Sequence, residues 1–244
     1  MKYFLLSLLL WMTSSAMAGE VQVAVAANFI TPAKVIAEDF ARATGHLAKL
    51  AVGSTGKFYA QIRNGAPFEA LLAADATTPA RLEEEGLAVA GSRFVYATGR
   101  LALWSPRPGV AVEALLRDKD LGRLAIADPK LAPYGQAAIE TLTALELLEK
   151  WRPRLVQGEN IAQTFQFVAS GNAALGFVAL AQVMRDGAIT AGSAWLVPAS
   201  LHQPIRQEAV LLARGRDNPA ARSWLDFLHT PQARQTIRAF GYEE

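Results

Sequence analysis

Short apolar runs alternate with amphipathic stretches along this chain, and no other feature constrains its fold as much. Residues 21–26 (VQVAVA) read as a strand. Residues 31–44 follow as a helix, with Thr31 as N-cap, Pro32 at the first helical position and Gly45 just past the end. Val35, Ile36, Phe40 and Ala43 recur at helical spacing and mark its buried face. Further strands are expected over 47–52, 70–74, 101–104, 124–127, 175–178, 195–197 and 207–212. Further helices are expected over 58–64, 79–85, 136–150, 161–170, 219–229 and 231–240. Strand followed by helix in this order predicts an α/β fold on a mainly parallel sheet. Chain crossings between two lobes are expected near Thr98-Gly99-Arg100 and near Pro204-Ile205-Arg206. They divide the chain into residues 19–98 plus 206–244 and residues 99–205.

The first eighteen residues stand outside that pattern. Lys2, an apolar run over 4–12 and the small-residue site Ala16-Met17-Ala18 have the layout of a cleavable secretory leader. The run is too short to span a bilayer, and no later run is longer, so no membrane span is expected. Export would place the mature chain, beginning near Gly19, in the periplasm. The chain has no cysteine, so neither a disulfide nor a lipid-bearing cysteine holds it. Stability must come from apolar cores, for which 52% hydrophobic residues suffice. The formal charge of +2 comes from scattered residues with no basic run, which argues against a nucleic-acid partner.

Four loops share one design, a strand end, then small or polar residues, then a helix start. They are Ala26-Ala27-Asn28-Phe29, Gly53-Ser54-Thr55-Gly56, the stretch 129–135 with Tyr134-Gly135, and Gly158-Glu159-Asn160-Ile161. Taken singly, Asn28, Ser54, Thr55 and Asn160 are ordinary caps and Tyr134 a packing aromatic. Taken together, several helix N-termini at the carboxyl ends of strands would make an anion site. The second loop is not a nucleotide P-loop. That motif needs Gly at 51 and Ser or Thr at 58, where this chain has Ala51 and Phe58. Lys57 is expected to point outward as a solvated residue.

A hydrolase reading has little to work with. Only His46, His202 and His229 could act as imidazole bases, and none lies in these loops. VGSTG is not a nucleophile elbow, because Ser54 directly follows Gly53. Asp75, Asp128 and Glu159 show no spacing of an acid/base pair or a metal site. A binding protein rather than an enzyme is expected, with a secreted hydrolase as the distant alternative.

The segments AANF, GSTGKFYAQIRNGAPFEALLAAD, LAPYG, GENIAQTFQFVASGNAALGFVAL and the closing FGY resemble the periplasmic molybdate-binding proteins of molybdate ABC transporters. The resemblance covers essentially the whole mature chain. It implies a type II periplasmic-binding-protein fold, two α/β lobes with a ligand cleft between them. Its ligand positions fall on Ala27, Asn28, Ser54, Thr55, Tyr134 and Ile161. Ala27 and Ile161 would offer only backbone N–H groups, while Asn28, Thr55 and Tyr134 would add side-chain donors to the molybdate. It also implies an inner-membrane permease with its ATPase as partner, a monomer, and no cofactor beyond the ligand, molybdate or tungstate. The family often has Ser or Thr at the position of Ala27 and Ser at that of Thr55. Another branch has Tyr where this chain has Ala179. Another tetrahedral oxyanion such as sulfate stays open.

Overall fold

The computed structural model describes residues 18–118 and 121–243. The leader therefore lies outside the described residues, apart from Ala18. Apolar runs become two five-stranded sheets, and the amphipathic stretches pack on their faces. The first half opens β1 (Glu20–Ala26), a 3-10 turn (Ala27–Phe29), α1 (Ile30–Thr44), β2 (Leu47–Gly53), α2 (Thr55–Arg63), β3 (Ala70–Leu72), α3 (Thr77–Glu84) and β4 (Phe94–Gly99). The second sheet begins at once with β5 (Leu101–Ser105). It continues through α4 (Val112–Leu115), β6 (Leu124–Ala127), α5 (Pro133–Ala144), α6 (Leu148–Trp151), β7 (Leu155–Gly158), α7 (Ile161–Ala169) and β8 (Leu175–Ala179). A small hairpin, β9 (Met184–Arg185) and β10 (Ala188–Ile189), precedes β11 (Ser193–Leu196). The chain returns to the first sheet by β12 (Ile205–Leu211) and closes with α8 (Pro219–Phe227) and α9 (Pro231–Ala239).

The sheet orders are β2-β1-β3-β12-β4 and β11-β5-β8-β6-β7. Both are mixed rather than mainly parallel. The returning strand β12 runs antiparallel to β3 and β4, and β5 runs antiparallel to β8 and β11. Strand polarity here is a tertiary choice. A long return connection arrives from the opposite end, which no local periodicity records.

Several boundaries move for identifiable reasons. Thr31 is not the N-cap of α1, because the 3-10 turn carries the chain straight into the helix without a side-chain cap. Val35 and Ala43 are exposed, and the buried stripe is Pro32, Ala33, Ile36, Asp39 and Phe40. The stretch 136–150 is not one helix. α5 ends at Ala144, Glu146 takes a left-handed φ of 59°, and α6 restarts at Leu148. Strands β4 and β7 escaped the reading of periodicity. One core cluster packs Phe29, Phe40, Trp224 and Phe240 against the first sheet. A second joins Leu142, Trp151 and Phe177 of the second half to Ala26, Ala27 and Ala74 of the first, so the two halves touch through apolar surface.

Candidate anion-binding site

The parallel pairs end level. Ala26 sits beside Gly53 at the ends of β1 and β2, and Ala127 beside Gly158 at the ends of β6 and β7. Each sheet therefore releases two loops side by side, and the two pairs of loops face one another. Ala27, Asn28, Ser54, Thr55, Tyr134 and Ile161 all line one small pocket with a cavity volume of about 10 Å³. Each of the six is at most 4% exposed.

The helix starts supply donors. The first N–H groups of a helix have no acceptor inside it. In α7, the N-cap Asn160 takes the N–H groups of Ala162 and Gln163 on its Oδ1, both at 3.0 Å. In α2, Ser54 Oγ takes that of Lys57 at 3.4 Å, and Gly56 donates to the carbonyl of Leu131 at 3.0 Å. In α5, Gly135 and Gln136 donate to the carbonyl of Ala132. Thr55, Tyr134 and Ile161 are left. Among the described residues their N–H groups have no acceptor, and all three residues line the pocket. Three helix dipoles place partial positive charge at the same point.

The hydroxyls follow one rule. Thr55 Oγ1 accepts from the N–H of Ala74 at 3.0 Å, and Ser54 Oγ accepts from Lys57. Tyr134 Oη accepts from Gln207 Nε2 at 3.2 Å. A protein donor occupies the oxygen of each, so each proton is left for the pocket. Burial holds the phenols of Tyr134, Tyr96 and Tyr242 well above the usual tyrosine range, so all three keep their protons.

Asn28 differs from its expected role. Both protons of its side-chain amide are engaged inside the protein, on Gln207 Oε1 at 2.8 Å and Tyr242 Oη at 3.1 Å. What Asn28 has left to offer is its main-chain N–H. Lys57 is solvent-exposed as expected, yet it is not free. Its Nζ pairs with Glu159 Oε2 at 2.5 Å, joining the second loop to the fourth outside the pocket. No residue lining the pocket carries a formal charge. A larger crevice beside it is lined by Asp75, Glu140 and Arg206 among others. Its two carboxylates have the wrong sign for an anion. Among the described residues no group of three or more His, Asp or Glu side chains could hold a metal ion.

Sequence reasoning missed Gln207, Tyr96 and the hydroxyl of Tyr242. The available signal was Arg206-Gln207-Glu208, three consecutive polar residues in a strand that is otherwise apolar. A register shift between Gln207 and Glu208 against β4 leaves Tyr96 without a pairing partner and turns its hydroxyl to Gln207 Oε1 at 2.9 Å.

Comparison with known proteins follows the same lines. The family model for bacterial extracellular solute-binding proteins matches residues 21–243. The molybdate-binding protein ModA of Azotobacter vinelandii is 55% identical over 93% of this chain and 91% of its own length. That of Rhodobacter capsulatus is 49% identical over 97% of this chain and 93% of its own. A solved periplasmic molybdate-binding protein from Azotobacter vinelandii superposes with a TM-score of 0.88 at 38% identity, covering 92% of this chain and 99% of the other. With its two-lobed architecture and a pocket at the strand ends, the chain belongs to the bacterial extracellular solute-binding proteins and, within them, to the ModA family.

Proposed function

We propose that this protein captures molybdate, and tungstate with it, in the periplasm and delivers it to an inner-membrane ABC permease and its ATPase. One observation carries the reading: the pocket offers donors only. The unpaired N–H groups of Thr55, Tyr134 and Ile161 and the hydroxyl protons of Ser54, Thr55 and Tyr134 all surround one small space. A fully deprotonated tetrahedral dianion has only acceptors, so the two match. Hydrogen phosphate brings a proton that would find no acceptor, a cost of about 1–3 kcal/mol or roughly tenfold to a hundredfold in affinity. Neutral donors suit reversible capture, because a buried lysine would be costly to strip of water whenever the cleft opens. The names of the relatives support molybdate as the ligand.

Residues 19–98 with 206–244 form one lobe and residues 99–205 the other, and they close on the anion. The protein works as a monomer, without a cofactor and without catalysing a reaction. The leader over 1–18 directs export.

A thermal-shift series on residues 19–244 tests this, with molybdate, tungstate, sulfate and phosphate at equal concentration. A ligand at about a thousand times its Kd adds roughly 4 kcal/mol. For a chain of this size that raises Tm by about 8–16 °C. Large shifts with molybdate and tungstate alone are expected. A shift with sulfate of equal size would keep the site and overturn the ligand, and no shift at all would overturn the site.

A further inference from the structure

We infer that Gln207 is a positioning residue for anion capture: it fixes the hydroxyl proton of Tyr134 toward the pocket, and does so only when the two halves are closed. The inference rests on the anion-binding reading above and deepens it.

Gln207 is fully buried on β12, the strand by which the chain returns to the first sheet. The directions of the protons around it can be worked out in sequence. Tyr242 Oη donates its one proton to the main-chain carbonyl of Asn28 at 2.8 Å. A carbonyl can only accept, so the Tyr242 oxygen must accept from elsewhere, and the Asn28 amide nitrogen at 3.1 Å is the donor. The second amide proton of Asn28 then meets Gln207 Oε1 at 2.8 Å, where the Tyr96 hydroxyl also points at 2.9 Å, its one proton shared with the Ala73 carbonyl at 3.1 Å. The Asn28 N–H on Oε1 settles the orientation of the Gln207 amide. Its Nε2 is left facing Tyr134 Oη at 3.2 Å. That oxygen accepts from Gln207. Tyr242 Oη and the Asn28 amide also lie near it, but their protons go to the Asn28 carbonyl, Gln207 Oε1 and Tyr242 Oη, so Gln207 is its donor and the Tyr134 proton turns to the pocket. One main-chain carbonyl thus dictates, through the side chains of Tyr242, Asn28 and Gln207, that Tyr134 presents a donor and not a lone pair to the pocket.

The arrangement spans both halves. Asn28, Tyr96, Gln207 and Tyr242 pack with the first sheet, and Tyr134 opens α5 on the second. Gly99, where the chain leaves the first sheet, makes room: a Cβ there would overlap both Tyr134 Oη and Gln207 Nε2. Opening the cleft would separate Tyr134 from Gln207 and release its hydroxyl to rotate. Donor alignment is therefore supplied together with closure.

Gln207→Glu tests this on the full mature chain, with molybdate affinity measured by calorimetry. An ionised carboxylate accepts on both oxygens and draws the Tyr134 proton to itself, away from the ligand. A protonated one has a donor and an acceptor, as the amide has. The titratable neighbours are Tyr96, Tyr134 and Tyr242, all kept protonated by burial, with Asp75 near enough to act on Tyr96. A buried carboxyl protonates well above its usual range. Wild-type affinity should be flat from about pH 8 to about pH 5.5, while Gln207→Glu loses about a hundredfold at the upper end and recovers most of it at the lower. A variant that binds like wild type at every pH, or that stays equally weak at every pH, overturns the inference.

Should Gln207→Glu fail to fold, a cycle with Gln207→Met and Tyr134→Phe decides. Gln207→Met should weaken binding about tenfold in the wild-type background and hardly at all beside Tyr134→Phe. Equal losses in both backgrounds overturn the inference. If wild type binds none of the oxyanions, the anion-binding reading fails first, and the two failures are thereby distinguished.

Discussion

At the scale of single residues, the site is built by occupying oxygens. Thr55, Ser54 and Tyr134 each have a lone pair filled by a protein N–H, which leaves one proton for the pocket. The residue types were readable in the loops, because short strand-to-helix turns with Ser, Thr and Asn are local signals. Their proton directions were not, and the Asn28 side chain turned out to face Gln207 and Tyr242. Two outcomes are expected at this scale. Gly99→Ala should cost at least about tenfold in molybdate affinity, because the added methyl must displace Tyr134 or Gln207 from the alignment; calorimetry would read it. The second concerns Asp75. Burial holds its carboxyl above the usual aspartate range, against hydrogen bonds from Thr78 that pull the other way. The folded state therefore binds that proton more tightly than the unfolded chain. The resulting stability is present below the unfolded pKa and lost as pH rises through the folded one. Asp75→Asn keeps an acceptor for the Thr78 N–H without the charge. Its Tm should exceed that of wild type near about pH 7, with the gap closing toward about pH 4.

At the scale of elements, helix starts do the work that charged side chains do elsewhere. Asn160 and Ser54 are caps, as their residue types suggested; Asn160 takes the second and third N–H groups of α7, Ser54 the third of α2 and the Leu131 carbonyl its second, which leaves the first of each helix facing the pocket. Loops from opposite halves also touch directly. The Gly56 N–H reaches the Leu131 carbonyl, and a Cβ on Gly56 would come within 3.1 Å of Leu131 backbone atoms. Gly56→Ala should therefore hold the halves slightly apart. Weaker molybdate binding, by roughly tenfold, with little change in the Tm of the ligand-free protein is the expected result. A loss of Tm equal to the loss of binding energy would mean that the glycine serves the fold instead. The break between α5 and α6 at Glu146 had no clear sequence signal, since a left-handed residue there is usually Gly or Asn.

At the scale of the whole molecule, two sheets are joined where β4 passes into β5 and where β12 returns. The outer rim of the pocket carries the Lys57–Glu159 pair across the two halves. Both side chains are well exposed, at 41% and 64%, so solvent and salt screen the pair. Lys57→Gln should change molybdate affinity by no more than about fivefold. Raising the salt from about 0.05 to 0.5 M should do the same in wild type, because the pocket itself is uncharged. A steep salt dependence in titrations would show instead that formal charge, not aligned donors, holds the ligand.

The sequence by itself determined the alternation of elements, the four loops and the residue types in them, and it carried the family resemblance. All of these are local, because capping, turn chemistry and apolar period act over a few residues. Only the tertiary structure decided the mixed sheets, the meeting of the loops and the direction of each proton. Asn28 finds its partners 179 and 214 residues away, and Tyr134 takes its donor from 73 residues away. A hydroxyl becomes a donor or an acceptor according to what faces it. That is settled when distant strands pack, not when the chain is written.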